Sequence, residues 1–209
     1  MQATHIAAPA GRRRAWSLRI EHIWLALPAL LVLWTGFMHP LRRLDFWWHL
    51  KAGELIVATG QIPQVDLFSY TQAGTPYLYQ NWLAEIIYYL TYRLGGLPLL
   101  VALNTLLLLL ALAPAYALCR QEAGGPRAGA LCALLPAFGL ACYSMLRTQV
   151  FAFVFFTSYL YILWRWRAGR RAPLWALPAI MLLWANLHGA FILGIGLIVL
   201  FLGAAIGER

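Results

Sequence analysis

The hydrophobic sequence is interrupted at length once, at residues 45–85, which read DFWWHLKAGELIVATGQIPQVDLFSYTQAGTPYLYQNWLAE. This stretch is rich in aromatic and polar residues, whereas most of the chain around it is apolar. A membrane-spanning helix needs roughly 20 mostly apolar residues, and this stretch contains no such run. The sequence therefore predicts an ordered loop outside the bilayer, and we expect the chemistry of the protein to lie in it.

The rest of the chain has the composition of a helical membrane protein. Hydrophobic residues make up 62% of the sequence and charged residues 11%, whereas about 25% of residues are charged in soluble domains. Apolar segments that reach or approach the length of a span recur at residues 22–38, 97–118, 128–145, 150–164 and 173–206. The last is too long for one span, and we predict two short helices joined at Asn186-Leu187-His188-Gly189. The pattern predicts an all-α, polytopic membrane helix bundle of about six spans.

Four parts are expected along the chain. They are a cytoplasmic tail, the first transmembrane helix, an outer loop with juxtamembrane helices and a transmembrane helix bundle, at residues 1–15, 16–38, 39–96 and 97–209. In the loop, residues 46–59 predict an amphipathic helix on the membrane surface, with Asp45 at its N-cap and Gly60 after its end. A second helix at residues 82–94 either lies at the interface or continues, kinked at Gly95-Gly96, into the next span.

The net charge of +9 follows from membrane topology and not from nucleic-acid binding. With a cytoplasmic N-terminus and six spans, the outer segments carry five basic residues: Arg42, Arg43, Lys51, Arg93 and Arg147. The remaining eleven lie in inner segments: Arg12, Arg13, Arg14, Arg19, Arg120, Arg127, Arg165, Arg167, Arg170, Arg171 and Arg209. This excess is what the positive-inside rule predicts when the long loop is outside.

Several motifs in the loop and beyond it agree in order and spacing with one known group. They are D-F-W-W-H-L-x-x-G from Asp45, G-x-I-P-x-x-D-x-F-S-Y-T from Gly60, and N-W-L-A-E from Asn81. Later segments, Arg147-Thr148-Gln149 and residues 184–191 (WANLHGAF), belong to the same pattern. The chain from Ile23 to Glu208 resembles the N-terminal portion of bacterial membrane glycosyltransferases of the GT-C superfamily.

The resemblance implies a polyprenyl-phosphate-linked sugar as donor and a glycan, lipid or protein as acceptor. It implies a bacterial inner-membrane protein whose active site is on the non-cytoplasmic face. An acidic residue just after the first span is the usual catalytic base, which by position is Asp45. Many relatives carry two acidic residues near this point, whereas this chain has one.

Basic residues on the outer side are candidates for holding the donor phosphate. A departing phosphate needs cations or helix N-termini to stabilise its charge. Arg147 stands at the start of a predicted helix near the membrane boundary, where it either binds this phosphate or is a structural cation. Arg42 and Arg43 either share that role or contact lipid headgroups, and Lys51 is a further outer cation.

Other polar residues are candidates for contacts with the sugar or the acceptor. Asp66 either organises a turn or touches substrate, and Glu85 is either a first-turn helix charge or a second carboxylate of the site. His49 is either an interfacial residue or a sugar contact. Asn186 and His188 interrupt an apolar segment, where polar groups are costly and often functional, although a structural hydrogen bond is the alternative.

Two other functions compete with sugar transfer. The single acidic residue and the small number of spans favour a non-catalytic membrane subunit that keeps a GT-C-like fold and binds a partner protein. A transporter would need internal repeats, and the long loop occurs only once. No cofactor is evident, because no His, Cys and carboxylate cluster has metal-ligand spacing; some members of the superfamily use a divalent metal, which nothing here requires.

Overall fold

The structure is a computed structural model, and it describes residues 20–38 and 45–208. This part of the chain folds into seven α-helices and one 3-10 turn, with no β-strand assigned. The helices are α1 Ile20–Met38, α2 Phe46–Thr59, α3 Trp82–Glu122, α4 Pro126–Cys142, α5 Gln149–Arg167, α6 Ala176–Leu187 and α7 Ile192–Gly207. The 3-10 turn, Gly189–Phe191, joins α6 to α7.

Helix α3 is the centre of the bundle and packs against α1, α2, α4, α5 and α6. Its path is broken at Gly95 and Gly96, whose backbone angles are not helical. Gly96 has a φ of +63°, a conformation that residues with a side chain rarely adopt. The predicted juxtamembrane helix therefore continues, kinked, into the following apolar helix, which is one of the two arrangements that the sequence allowed.

Helices α5, α6 and α7 form the second part of the bundle. The Tyr159 hydroxyl of α5 donates to the carbonyl oxygen of Leu177 at the start of α6. Glu208, after α7, pairs with Arg167 at the end of α5. Both ends of the α6–α7 segment thus adjoin the C-terminal half of α5, and the segment is a hairpin whose tip is at His188. The predicted break between two short helices is confirmed.

The two ends of the bundle differ in their polar contacts. Helix α5 contains 19 residues, a length of about 28 Å at 1.5 Å per residue. Near its N-terminus lie Asp45, Arg147 and Tyr88. Near its C-terminus Arg170 bonds Glu122, at the end of α3. Residues of the long loop therefore gather at one end of the bundle, and basic residues of the α5–α6 connection at the other.

Within residues 20–38 and 45–208, two helical segments are long and apolar enough to cross a membrane, namely Trp82–Glu122 and Gly189–Gly207. They differ in how much of their most apolar part is buried inside the protein, 39% in the first and 11% in the second. The second segment therefore has most of its apolar surface exposed on the outside of the helix bundle. Of the described helices, α4 and α6 are apolar but shorter, and α1 has a shorter apolar part.

The segment between α2 and α3 is irregular. Its one backbone bridge joins Val65 to Pro76, and the Asp66 amide donates to the carbonyl oxygen of Thr75 over 2.8 Å. The Tyr77 amide donates to the carbonyl oxygen of Gln64 over 3.0 Å, so the paired part is short, and residues 67–74 connect its two halves without regular structure.

Candidate functional site

One face of α3 makes three side-chain hydrogen bonds to three other segments, at intervals of three residues. The indole of Trp82 donates to Asn186 Oδ1 over 3.1 Å. Glu85 Oε1 lies 2.9 Å from His49 Nδ1, and the hydroxyl of Tyr88 donates to the carbonyl oxygen of Arg147 over 2.9 Å. Residues three apart are neighbours on a helix, so the start of α3 ties together α2, the α4–α5 loop and the tip of the α6–α7 hairpin.

Asp45 and Arg147 form an ion pair at the edge of this arrangement, 2.5 Å apart between Arg147 Nη2 and Asp45 Oδ2. The two side chains are 51% and 40% exposed, so both can be reached from outside. Asp45 occupies the N-cap position of α2, but its carboxylate makes no capping bond. The predicted N-cap position of Asp45 is therefore confirmed, but its carboxylate bonds Arg147 and not a backbone amide of α2.

His49 and Glu85 are a second, buried pair next to the first. Only 6% of His49 and 1% of Glu85 is exposed. His49 follows Asp45 by four residues, and its amide donates to the Asp45 carbonyl oxygen over 3.2 Å, which places the imidazole one helical turn from the exposed ion pair.

The close packing of α2 on α3 depends on a glycine. A Cβ atom at Gly53 would lie 2.1 Å from the carbonyl oxygen of Glu85, a distance that no side chain can occupy. Gly53 is one turn after His49 on α2. The absence of a side chain at Gly53 therefore allows the backbones to approach, which brings the imidazole of His49 to the carboxylate of Glu85.

The tip of the α6–α7 hairpin reaches the same end of the bundle. Asn186 accepts the Trp82 bond and donates to the Leu182 carbonyl oxygen over 2.8 Å. His188 Nδ1 accepts from the Ala190 amide over 3.1 Å. Burial lowers the pKa of His188, and the nearby His49 lowers it further. The structural hydrogen bonds expected as one alternative for Asn186 and His188 are thus present.

Asp66 organises the turn after α2. Its carboxylate accepts from the Phe68 amide, the Ser69 amide and the Ser69 hydroxyl at 2.9, 2.9 and 2.7 Å. The hydroxyl bond, followed by the two amide bonds, lowers the pKa of Asp66. The turn-forming role that the sequence predicted as one alternative is confirmed.

Asp66 and Ser69 also line a recess of about 360 Å³ together with aromatic side chains, namely Trp48, Phe68, Tyr77 and Tyr79. We refer to this as the aromatic recess. Trp48 is three residues after Asp45 on α2, so the aromatic recess begins one helical turn from the Asp45–Arg147 pair.

Lys51 is separate from this group. Its ammonium bonds Glu54 on the same helix over 2.7 Å, and both side chains line a different groove, of about 530 Å³, with Arg93 and three aromatic residues, Trp47, Tyr89 and Tyr92. Arg42 and Arg43 lie outside the described residues. Of the predicted site residues that the structure describes, Asp45, His49, Glu85, Arg147, Asn186 and His188 gather at one end of the bundle.

Sequence reasoning missed Trp82 and Tyr88, whose hydrogen bonds hold this end together. Tyr88 is fully buried, and the spacing of Trp82, Glu85 and Tyr88 along one face of α3 is the signal that could have identified them. Within residues 20–38 and 45–208, no group of three His, Cys, Asp or Glu side chains is placed so that it could hold a metal ion.

Comparison with known proteins gave no match among protein-family models, curated proteins or solved structures.

Proposed function

We propose that this chain is a membrane glycosyltransferase of the GT-C type that transfers a sugar from a polyprenyl phosphate to an acceptor on the non-cytoplasmic face. The observation that carries the proposal is the ion pair between Asp45 and Arg147. The chain brings a carboxylate and a guanidinium together across 102 positions and leaves both accessible. Displacing a phosphate by an acceptor hydroxyl needs these two groups, a base and a cation.

The proposed reaction starts with the donor phosphate binding Arg147. Guanidinium groups bind phosphate through paired hydrogen bonds, so the phosphate takes the place that Asp45 holds and releases the carboxylate. Asp45 then accepts the proton of the acceptor hydroxyl as its oxygen bonds the anomeric carbon. The bond from that carbon to the phosphate oxygen breaks, and polyprenyl phosphate leaves with its charge on Arg147.

The neighbouring buried groups support this assignment by fixing the position of Asp45. Misplacing a catalytic group by about 1 Å lowers rates by about 100-fold. Asp45 stands at the start of α2, and α2 is held to α3 by the His49–Glu85 bond and by the contact at Gly53. Arg147 is held to the same helix by the hydroxyl of Tyr88. The proposed base and the proposed cation are thus both held in position by α3.

The proposed topology has about six spans, with the Asp45–Arg147 end outside and the N-terminus in the cytoplasm of a bacterial cell. The distribution of charge supports it. The opposite end of the bundle carries Arg165 and Arg167, in the last turn of α5, and Arg170 just after it. Arg167 pairs with Glu208 after α7, and Arg170 pairs with Glu122 at the end of α3. Basic residues on one side favour that side as the cytoplasmic one.

The test is transfer from a mixture of polyprenyl-phosphate hexoses and pentoses by membranes containing the protein, followed as release of polyprenyl phosphate. A positioned base contributes roughly 10²- to 10⁴-fold, so we expect Asp45→Asn to lower the rate by at least about 100-fold. Glu54→Gln removes an exposed carboxylate from the same helix, outside the site, and is expected to keep the wild-type rate. Full activity of Asp45→Asn would refute the role of Asp45.

Arg147 is tested in the same assay. Arg147→Lys keeps the charge and loses the paired hydrogen bonds, and Arg147→Gln loses both. We expect the apparent affinity for the donor to fall in the order wild type, Lys, Gln. Equal affinities for the donor in all three proteins would contradict phosphate binding at Arg147.

A non-catalytic membrane subunit is the second candidate, and one observation favours it. The apolar surface of Gly189–Gly207 is largely outside the bundle, where it faces either lipid or a partner protein. Purification of the protein from its native membrane distinguishes the two functions. A stoichiometric membrane-protein partner, together with no polyprenyl-phosphate release by the complex, would support the subunit.

A further inference from the structure

The rings around the aromatic recess are steeply inclined to one another and do not form one flat platform. The rings of Tyr77 and Tyr79 meet edge to face at 83°, with centroids 4.9 Å apart. The rings of Trp48 and Phe68 are inclined at 58°, with centroids 5.9 Å apart. Tyr79 is 3% exposed, whereas Tyr77 and Phe68 reach the surface. The volume of the recess is about 360 Å³, at the lower end of the range of roughly 300–1,000 Å³ for small-molecule sites.

The charge of the recess is negative. Asp66 contributes a carboxylate, and none of the lining residues within residues 45–208 is a lysine or an arginine. The lowered pKa of Asp66 keeps this carboxylate ionised at neutral pH. Burial raises the pKa of Tyr77, and the carboxylates of Glu85 and Asp66 raise it further. Aromatic faces add a negative potential of their own.

Asp66 is able to accept a bond from a ligand. An ionised carboxylate has about four lone-pair sites, and the turn uses three of them, two at Oδ1 and one at Oδ2. The Ser69 hydroxyl donates its only hydrogen to Asp66, so its oxygen is also left as an acceptor. Both groups therefore present lone pairs to a ligand that carries positive charge or donates hydrogen bonds.

We propose that the aromatic recess binds an organic ammonium group, bordered by Trp48, Phe68, Tyr77 and Tyr79 and neutralised by Asp66. A cation is attracted by the electron-rich faces of aromatic rings, and the attraction grows as water is excluded. A neutral sugar would be better served by one flat ring face, and a neutral apolar group would gain nothing from the carboxylate. The steep ring angles together with the charge favour an ammonium.

The position of the recess assigns this ammonium to the acceptor, an assignment that rests on the proposed transfer reaction. Trp48 lies one turn of α2 from Asp45, so a molecule anchored by its ammonium in the recess has its neighbouring hydroxyl near the proposed base. Two sources share this chemistry, an aminated lipid headgroup and a soluble amino sugar. Binding of the ammonium itself does not depend on catalysis.

The experiment measures binding by calorimetry, with the full chain in phosphatidylglycerol nanodiscs, which contain no competing amine. The ligands are choline, its neutral counterpart of the same shape, 3,3-dimethylbutan-1-ol, and methyl glucoside as a neutral sugar. We expect saturable choline binding that is at least about tenfold tighter than binding of the alcohol. Equal binding of the two, tighter binding of methyl glucoside, or no saturable binding of choline would overturn the proposal.

Two variants test whether choline binds in the aromatic recess. We expect Asp66→Asn and Tyr77→Leu each to weaken choline binding by about threefold or more. Asparagine also accepts bonds from turn amides, and Tyr77→Leu leaves Asp66 in place, so the proposal stays testable if one variant fails to fold. Glu54→Gln, a carboxylate on α2 outside the recess, is expected to bind choline as the wild type does. An equal loss in Glu54→Gln would contradict the site.

The experiments distinguish a failure of the proposed transfer function from a failure of the proposed ammonium site. Asp45→Asn is expected to bind choline normally while losing transfer. Choline binding by a protein with no transfer activity would remove the proposed function and keep the ammonium site, and transfer without choline binding would do the reverse. Displacement of choline by phosphatidylethanolamine nanodiscs identifies a lipid headgroup as the source, and displacement by glucosamine identifies an amino sugar.

Discussion

Nδ1 of His49 lies 2.9 Å from Oε1 of Glu85, although 36 positions separate the two residues. The pair is buried, and Glu85 Oε2 has no hydrogen-bond partner within the described residues. His49→Leu would leave a buried carboxylate without its one partner, which costs about 3–5 kcal/mol. We expect the free energy of unfolding in mixed micelles to fall by that amount.

A double variant measures the coupling energy between His49 and Glu85. Replacing both buried partners by apolar residues is often neutral, so His49→Leu with Glu85→Met is expected to be more stable than His49→Leu alone. If the two substitutions simply add, the 2.9 Å contact contributes no coupling energy and the interpretation of the pair fails.

Asp45→Asn should have a small effect on stability, in contrast with the large effect on transfer that the proposed function predicts. Exposed ion pairs contribute about 0–1 kcal/mol, and both side chains of the Asp45–Arg147 pair are well exposed. We expect the free energy of unfolding to change by less than about 1 kcal/mol. A loss as large as that of His49→Leu would make the pair a structural element and remove the argument that its exposure serves a substrate.

Gly53→Ala should separate α2 from α3. The added Cβ would lie 2.1 Å from a backbone oxygen that cannot rotate away, and overpacking of this kind costs about 1–3 kcal/mol or more. Gly139→Ala in α4 is the matched control, because nothing lies within 4 Å of its Cβ position. Alanine is a better helix former than glycine, so the control is expected to be neutral or slightly stabilised in the same unfolding measurement.

His188 should make the protein less stable in mild acid. Burial and His49 hold its pKa below the ordinary 6.5, and protonation of Nδ1 would also remove the bond from Ala190. The unfolded chain therefore takes up the proton first. The associated stability is fully present above about pH 6.5 and is lost as the pH falls through the lowered folded-state pKa.

His188→Asn tests this dependence. Asparagine accepts a bond from an amide at a helix start but does not titrate. We expect thermal unfolding of the wild type to shift downward more steeply than that of the variant between pH 7 and pH 5. Parallel curves for the two proteins would show that His188 does not determine the response.

Local sequence patterns predicted the features that depend on a few neighbouring residues. The break at His188 follows from polar residues inside an apolar run, the kink in α3 follows from two adjacent glycines, and the turn at Asp66 follows from the ability of aspartate to bond nearby amides. Each of these is decided within about one turn of chain, so the sequence alone contains the cause.

Contacts between distant segments were not predictable in the same way. Nothing in the sequence showed that Asp45 would pair with Arg147 in place of capping α2, or that Lys51 would face Glu54 and a separate groove. These outcomes depend on how α2 is rotated against α3, which Gly53 and Glu85 decide through packing. The structure brings six of the candidate residues together at one end of the bundle, while their partners could not be read from the sequence.

The shortness of α6 has a consequence for how the protein is made. Its 12 residues extend about 18 Å, well short of the roughly 30 Å hydrocarbon layer. In the proposed topology, a ribosome delivering α6 to the translocon presents a segment that is too short to settle in lipid alone. Because the chain bends at His188 between α6 and α7, we expect the two helices to leave the translocon together, after synthesis has passed Gly189.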